Sequence, residues 1–308
     1  MSEGVVDGRV VVVTGAGNGI GRAHALAFAA HGAKVVVNDL GGSRDGGGAS
    51  AGPASAGPAQ TVVDEIAVAG GEAVANTDDI SSWEGAGRLV QQAVDTYGGL
   101  DVLVNNAGIL RDRMIVSMTE RDWDSVLAVH LKGSFATLHH AAAYWRARAK
   151  SGHDNDARVI NTTSPSGIFG NPGQSNYGSA KAGIASLTII AAAELARYGV
   201  TVNAIAPTAL TRLTEDIEMM KRAAESEDLT PEAISPLVVW LGSAASREVT
   251  GRVFGVVGNR ITVLEGWVNG PGASAETRWT PEELSSVVPN LVAKAAPNAD
   301  ALGNRNGA

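Results

Sequence analysis

Val10-Val11-Val12-Val13-Thr14-Gly15-Ala16-Gly17-Asn18-Gly19-Ile20-Gly21 decides the fold. The β-branched run reads as a buried strand, and the glycine-rich turn after it opens a helix. Gly15 permits the tight turn, Gly19 lets the backbone approach a pyrophosphate, and Gly21 lets the helix pack closely. The helix amino terminus presents free N–H groups and a partial positive charge to phosphates. Gly15, Asn18, Gly19, Ile20 and Gly21 are therefore read as a dinucleotide cradle. Asp39 ends the next strand, Val35-Val36-Val37-Asn38-Asp39-Leu40. A carboxylate there accepts both adenosine ribose hydroxyls and repels a 2′-phosphate, so the expected cofactor is NAD. Asn18, Asn38 and Leu40 are uncharged, and Arg44 is the one basic residue nearby that opposes this preference.

The same alternation continues outward. Short β-branched runs at Val10 to Val13, Lys34 to Val37, Glu72 to Ala75, Val102 to Val104, Arg158 to Thr162, Val200 to Ile205 and Val253 to Val257 are separated by helical patterns. The expected architecture is α/β, a Rossmann-type doubly wound sheet of about seven parallel strands with helices on both faces. Residues 1–308 read as one domain. Gly41 to Pro58 is rich in Gly, Ala, Ser and Pro and reads as a flexible insertion, either a tolerated surface loop or a partial lid over the cofactor. Residues 266–308 form a carboxyl-terminal extension in which Thr280-Pro281-Glu282-Glu283 signals a helix start. That helix packs on a partner subunit, covers the active site, or lies on its own domain.

Composition narrows the classes. Of 308 residues 44% are hydrophobic, and 24 basic against 32 acidic residues give a net charge of −8, so nucleic acid is not an expected partner. The chain has no cysteine, which excludes disulfides, thiol catalysis and thiolate metal sites. His139-His140 and His153 have no partner at metal-ligand spacing, and no metal is expected. No membrane span, secretory signal or Ser-Lys-Leu-type ending is found, and the protein is read as cytoplasmic.

Tyr177 and Lys181 stand four residues apart, on one face if the segment is helical, and Ser164 precedes them. A neighbouring ammonium favours the phenolate and lowers the phenol pKa, and Ser164 would supply a hydroxyl to the reacting oxygen. With the glycine turn, these residues resemble the short-chain dehydrogenase/reductase family over roughly residues 5 to 265. The resemblance implies that Tyr177 is the acid/base, Ser164 orients the substrate oxygen, and Lys181 holds the nicotinamide ribose. It also implies that Asp79 and Ile80 contact adenine, that Asn105, Ala107 and Gly108 of Asn105-Asn106-Ala107-Gly108 lie beneath the nicotinamide-side ribose, and that Leu40 and Pro207 join the cofactor site. A homodimer or homotetramer is implied as well.

One position departs from the family pattern. Val129-His130-Leu131-Lys132-Gly133 carries His130 where most members have an asparagine that holds a water beside the lysine. His130 either binds such a water and carries a proton near neutral pH, or is a buried histidine satisfying backbone groups. Together with Val37 to Gly42, Asn106 to Arg113 and Ser166 to Gln174, it makes the chain similar to the (3R)-hydroxyacyl-CoA dehydrogenase part of peroxisomal multifunctional enzyme type 2. That likeness implies an acyl-CoA or steroid substrate. Arg111 and Arg113 either meet CoA phosphates or are solvated loop arginines. Leu210, Leu213, Met219 and Met220, between Thr208 and Leu229, either face a bulky lipid or form an ordinary amphipathic helix. The rival functions are an NADPH-dependent 3-oxoacyl-carrier-protein reductase, which Asp39 opposes, and a non-catalytic NAD-binding sensor or scaffold.

Overall fold

The computed structural model describes residues 4–43, 45–47, 57–210, 228–301 and 303–305. Arg44, Leu213, Met219, Met220 and most of the insertion expected between Gly41 and Pro58 lie outside the described residues.

β1 (Val10–Thr14) is wholly buried, and its side chains divide between two cores. Val11 and Val13 pack on one face, against Phe28 and Ala25 of α1 (Gly19–Ala30), Val62 and Ile66 of α2 (Pro58–Val68) and Leu241 of α8 (Ser235–Leu241). Val10 and Val12 face the other way, against Leu89 of α3 (Trp83–Tyr97), Trp145 of α5 (Gly133–Lys150) and Leu195 of α7 (Ser175–Leu195). A strand that buries successive side chains on opposite faces must be covered by helices on both, which is why the run is continuously apolar instead of alternating.

The remaining strands are β2 (Lys34–Asn38), β3 (Glu72–Asn76), β4 (Val102–Asn105), β5 (Ala157–Thr162), β6 (Val200–Thr208), β7 (Val253–Val257) and β8 (Arg260–Leu264). They form one sheet in the order β3-β2-β1-β4-β5-β6-β7-β8. The first seven are parallel, each at its expected place. β8 is an addition the sequence reading lacks: it returns antiparallel on β7, with Val257 opposite Arg260 across Gly258-Asn259. Gly258 has φ +52°, the positive value such two-residue turns require. Ile261 and Val263 are half exposed on this edge strand, so it lacks the continuous apolar signal of its neighbours.

The order reverses between β1 and β4. In a doubly wound sheet a crevice opens there, at the carboxyl ends of the strands. α4 (Glu120–Leu127) is capped by Thr119 and runs through a π-helical turn, Ala128–Lys132, into α5. α6 (Pro165–Ile168) is a single short turn after β5. α7 is long and apolar enough to cross a membrane by length and composition. It also buries Asn176, Lys181 and Thr188 beside the sheet, so it serves as a core helix. The helix foreseen after Thr280 is α9 (Pro281–Lys294), with Thr280 in a capping box with Glu283 and Pro281 in the first turn. It buries no residue on its own domain.

Candidate active site

The turn from β1 to α1 is tight in the way its glycines allow. Gly15 (φ +62°) presses on Ala107, where an added Cβ would come 2.6 Å from the alanine Cα. A Cβ on Gly21 would lie 2.2 Å from the Gly15 carbonyl oxygen and 2.4 Å from Asn106 Nδ2. Gly19 also takes positive φ, so its glycine serves the turn itself. Asn18 is the extended N-cap of α1, yet its side chain caps nothing, and no acidic residue occupies the first turn. The first-turn N–H groups have no intrahelical acceptor and remain available to an anion. A cradle of this kind fits a dinucleotide pyrophosphate.

Asp39 stands beside it, half-buried: Oδ2 accepts from Gly17 N at 2.9 Å and Oδ1 from Gly41 N at 2.8 Å. Both oxygens keep a lone pair for a ribose. Leu40 is exposed at the rim. Asp79 caps the turn before α3 by accepting from Ser81 N and Oγ, whereas Ile80 is buried, in contact with Gly133. Pro207 lies on β6 opposite Val256.

The site also draws on residues to which the sequence gives no role. Thr14 Oγ1 accepts from Asn106 N (3.0 Å) and Ala107 N (3.1 Å), while Asn106 Nδ2 donates to the carbonyls of Thr14 and Gly15. They stitch the glycine turn to the loop after β4. Asn161 on β5 accepts from Asn105 Nδ2 at 3.0 Å and donates to Thr188 on α7, and Thr137 donates to Asn105 Oδ1. The Asn105 side chain is thus spent inside the protein, so what it gives the crevice is the position of Ala107 and Gly108. A polar residue ending a central parallel strand is the signal that marks Thr14 and Asn161.

Ser164 follows β5 as N-cap of α6, with its Oγ accepting from Ser166 N. α7 carries the Tyr177 phenol to the same point, close enough for the Ser164 hydroxyl to lower its pKa. Lys181, one turn on, lies 5.6 Å from the Tyr177 ring centroid and donates from Nζ to the Thr162 carbonyl at 2.6 Å. The three expected residues meet at the carboxyl end of β5, one strand from the crevice.

The expected electrostatics need correction. Burial drives the Tyr177 pKa up, the Ser164 hydroxyl opposes it, and Asp112 adds to the rise. Burial also pulls Lys181 down to about 7. Both groups lose water, and that cost falls on whichever form is charged, so the lysine does not by itself produce a low-pKa phenol.

His130 sits in the π-helical turn, buried. Its Nε2 lies 3.0 Å from Ile109 N and 2.8 Å from Ile109 O, and its ring meets that of Tyr177 edge-on at 5.2 Å. Burial and the Lys181 charge lower its pKa to about 3, so it stays neutral in the fold. That neutral state opposes the proton-carrying alternative, and the His130 Nε2 serves one Ile109 backbone group at a time, accepting from N or donating to O according to the tautomer. Its Nδ1 is buried without a partner. His140 Nε2 donates to the Trp83 carbonyl at 3.0 Å, and the His139 ring lies tilted against the Trp83 ring. Among the described residues no group of three His, Asp or Glu side chains gathers at metal-binding distance. Of the two loop arginines, Arg111 Nε donates to the Asp45 carbonyl at 2.8 Å, with Nη1 3.7 Å from Asp122.

A strand-turn-helix cradle beside a Ser, Tyr and Lys cluster defines a nicotinamide-dinucleotide oxidoreductase, and comparison with known proteins agrees. The short chain dehydrogenase profile matches residues 9–222. The chain belongs to the short-chain dehydrogenase/reductase family. It is 43% identical over 302 residues to hydroxyacyl-CoA dehydrogenase ChsB1 of Mycobacterium tuberculosis, covering 95% of this chain and 91% of that one. It is 43% identical over 281 residues to peroxisomal multifunctional enzyme type 2 of Mus musculus, covering 90% of this chain but only 36% of the mouse protein. A short chain dehydrogenase from Mycobacterium avium of known structure superposes with a TM-score of 0.87 at 57% identity, over 96% of this chain and 99% of that one. The cytoplasmic expectation is overturned by this set, in which the mouse protein and four further relatives are named as peroxisomal. A missing signal peptide or terminal tripeptide is not a positive address, and nothing in folding chemistry ties this surface to a compartment.

Proposed function

We propose that the protein interconverts a secondary alcohol and a ketone on a 3-hydroxyacyl-CoA or steroid-CoA substrate, with NAD as cofactor. The observation that carries the chemistry is the meeting of Ser164, Tyr177 and Lys181 at the carboxyl end of β5. Ser164 holds the substrate hydroxyl, and Tyr177 takes its proton during oxidation. Bound nicotinamide supplies the hydride acceptor and, oxidised, a positive charge that favours the phenolate. Lys181, anchored on Thr162, reaches for the ribose and adds positive charge while it is protonated. His130 positions: it braces the Tyr177 ring and pins the backbone of Ile109 beside Gly108.

NAD preference rests on Asp39, whose carboxylate is fixed by two backbone N–H groups where a 2′-phosphate would have to sit. Gly15, Asn18, Gly19, Ile20, Gly21, Leu40, Asp79, Ile80, Ala107, Gly108 and Pro207 complete the cofactor site in this reading. The substrate class is supported by the name of the hydroxyacyl-CoA dehydrogenase relative, which this chain matches over nearly its whole length. Exposed Phe135 on α5 and Ile189 and Ile190 on α7 are the faces on which a second copy would pack.

The test is reduction of NAD and of NADP by purified protein with straight-chain (3R)-hydroxyacyl-CoA, steroid-CoA thioesters and free hydroxysteroids. Turnover on a CoA panel with NAD is expected. Turnover on free hydroxysteroids alone would remove the thioester from the assignment, and NADP preference would remove the role given to Asp39.

A further inference from the structure

The sheet order fixes what a chain segment must cross. β2 and β4 flank β1, so any connection from the end of β2 to the loop after β4 passes above the carboxyl end of β1 and its glycine turn. Adjacent strands are ~5 Å apart, so the crossing is about 10 Å. The segment after β2 makes it. Asp39 ties Gly41 N to the same carboxylate that holds Gly17 N. Farther along, the Asp45 carbonyl accepts from Arg111 Nε, and Gly46 lies on Ile109. Between these anchors Asp45 Oδ1 accepts from Ser43 Oγ (2.5 Å) and Gly47 N (3.1 Å), which closes the turn on itself.

From this we infer that the turn around Ser43 and Asp45 to Gly47 is a strap over the dinucleotide crevice, latched by Arg111 and Ile109, and that it must release before cofactor can exchange. The inference rests on the reading of that crevice as the dinucleotide site. A dinucleotide with adenosine at Asp39 and nicotinamide near Gly108 would run along the line that the strap spans. The latch also connects to the chemistry. The Arg111 carbonyl accepts from Asn176 Nδ2, and Asn176 Oδ1 accepts from Tyr177 N. Arg111 is accordingly a positioning residue here, with its Nε spent on the strap.

The chain has no cysteine, so an introduced pair reports only on itself. A Cβ built on Gly46 lies 3.9 Å from Ile109 Cβ, within the span of a disulfide of roughly 3.5–4.5 Å. The experiment loads Gly46→Cys/Ile109→Cys protein with NADH, oxidises it, and follows loss of bound-NADH fluorescence on adding excess NAD. Release at least ~10-fold slower than in the reduced form, restored by dithiothreitol, is expected. Asp45→Ala, which removes two of the hydrogen bonds that close the turn and keeps the carbonyl that Arg111 uses, is expected to release NADH at least ~3-fold faster than the unaltered protein. Equal release from oxidised and reduced pair overturns the strap, as does a disulfide that forms only in the absence of NADH, since the turn would then occupy the cofactor's own path. If the pair does not fold, unchanged release in Asp45→Ala overturns it. Failure of the unaltered protein to bind NADH would instead sink the dinucleotide reading itself.

Discussion

Acidification should destabilise this fold through two histidines, and the size of the effect can be worked out. His24 on α1 is fully buried, with Nδ1 2.9 Å from Ser235 Oγ and Nε2 without a partner. Burial lowers its pKa from 6.5 to about 3, and His130 is lowered as far. Below pH 6.5 the unfolded chain takes up protons that the folded chain refuses, so the proton difference favours unfolding and stability falls with pH. At pH 5 an unfolded-state pKa of 6.5 against a folded value near 3 costs about 2 kcal/mol per histidine, or about 4 kcal/mol for the pair, relative to pH 8. The loss continues toward pH 3, where the folded groups begin to protonate. His24→Gln keeps an amide for the Ser235 hydroxyl and removes the titration, so it should recover about half of that loss. The assay is urea unfolding at fixed protein concentration from pH 8 to pH 5, comparing the change in unfolding free energy for the two proteins. Comparing the slopes cancels the other ionisations and any constant packing cost of the substitution. Identical pH dependence in the variant would refute the idea that His24 is held neutral.

Three further outcomes test the site. Tyr177→Phe should bind NADH with near-native affinity by fluorescence titration yet lose turnover by ~10²–10⁴-fold, since the phenol is the group placed to move the proton. Asp39→Ala should weaken NAD binding and narrow its advantage over NADP; the two dissociation constants measured side by side decide it, and an unchanged ratio counts against the ribose assignment. Gly21→Ala brings a Cβ within 2.2 Å of the Gly15 carbonyl oxygen, so the turn must open and NADH affinity should fall by ~10-fold or more; native affinity in a correctly folded variant would mean that the cradle is not where the pyrophosphate sits.

The sequence disclosed what short-range chemistry encodes. Val10 to Thr14 announces a strand buried on both faces, the glycines announce a turn that side chains would block, and Tyr177 and Lys181 announce a shared helix face. Each follows from a few adjacent residues. What stayed hidden depends on partners from distant segments. Thr14 and Asn106 are ordinary polar residues until β1 and β4 stand side by side and the threonine hydroxyl meets two amides 92 and 93 residues away. β8 was missed because an edge strand with half-exposed Ile261 and Val263 carries little burial signal.

The sign of the Tyr177 shift shows the same boundary in energetic form. Spacing reveals that an ammonium stands next to a phenol, and proximity alone argues for a lowered phenol pKa. It does not reveal that the lysine is buried and the tyrosine partly so, and loss of water penalises both charged forms. Here that penalty is the first cause at each residue, raising the tyrosine and lowering the lysine to about 7. Without cofactor the pair therefore favours a neutral phenol beside a half-charged amine near neutral pH. A site in that state is a weak base, and it becomes a competent one when positive charge arrives close by. On the proposed mechanism, proton abstraction would then be coupled to occupancy of the crevice one strand away. A strap that governs that occupancy and is tied through Arg111 and Asn176 to the backbone of Tyr177 would then control when the base can act.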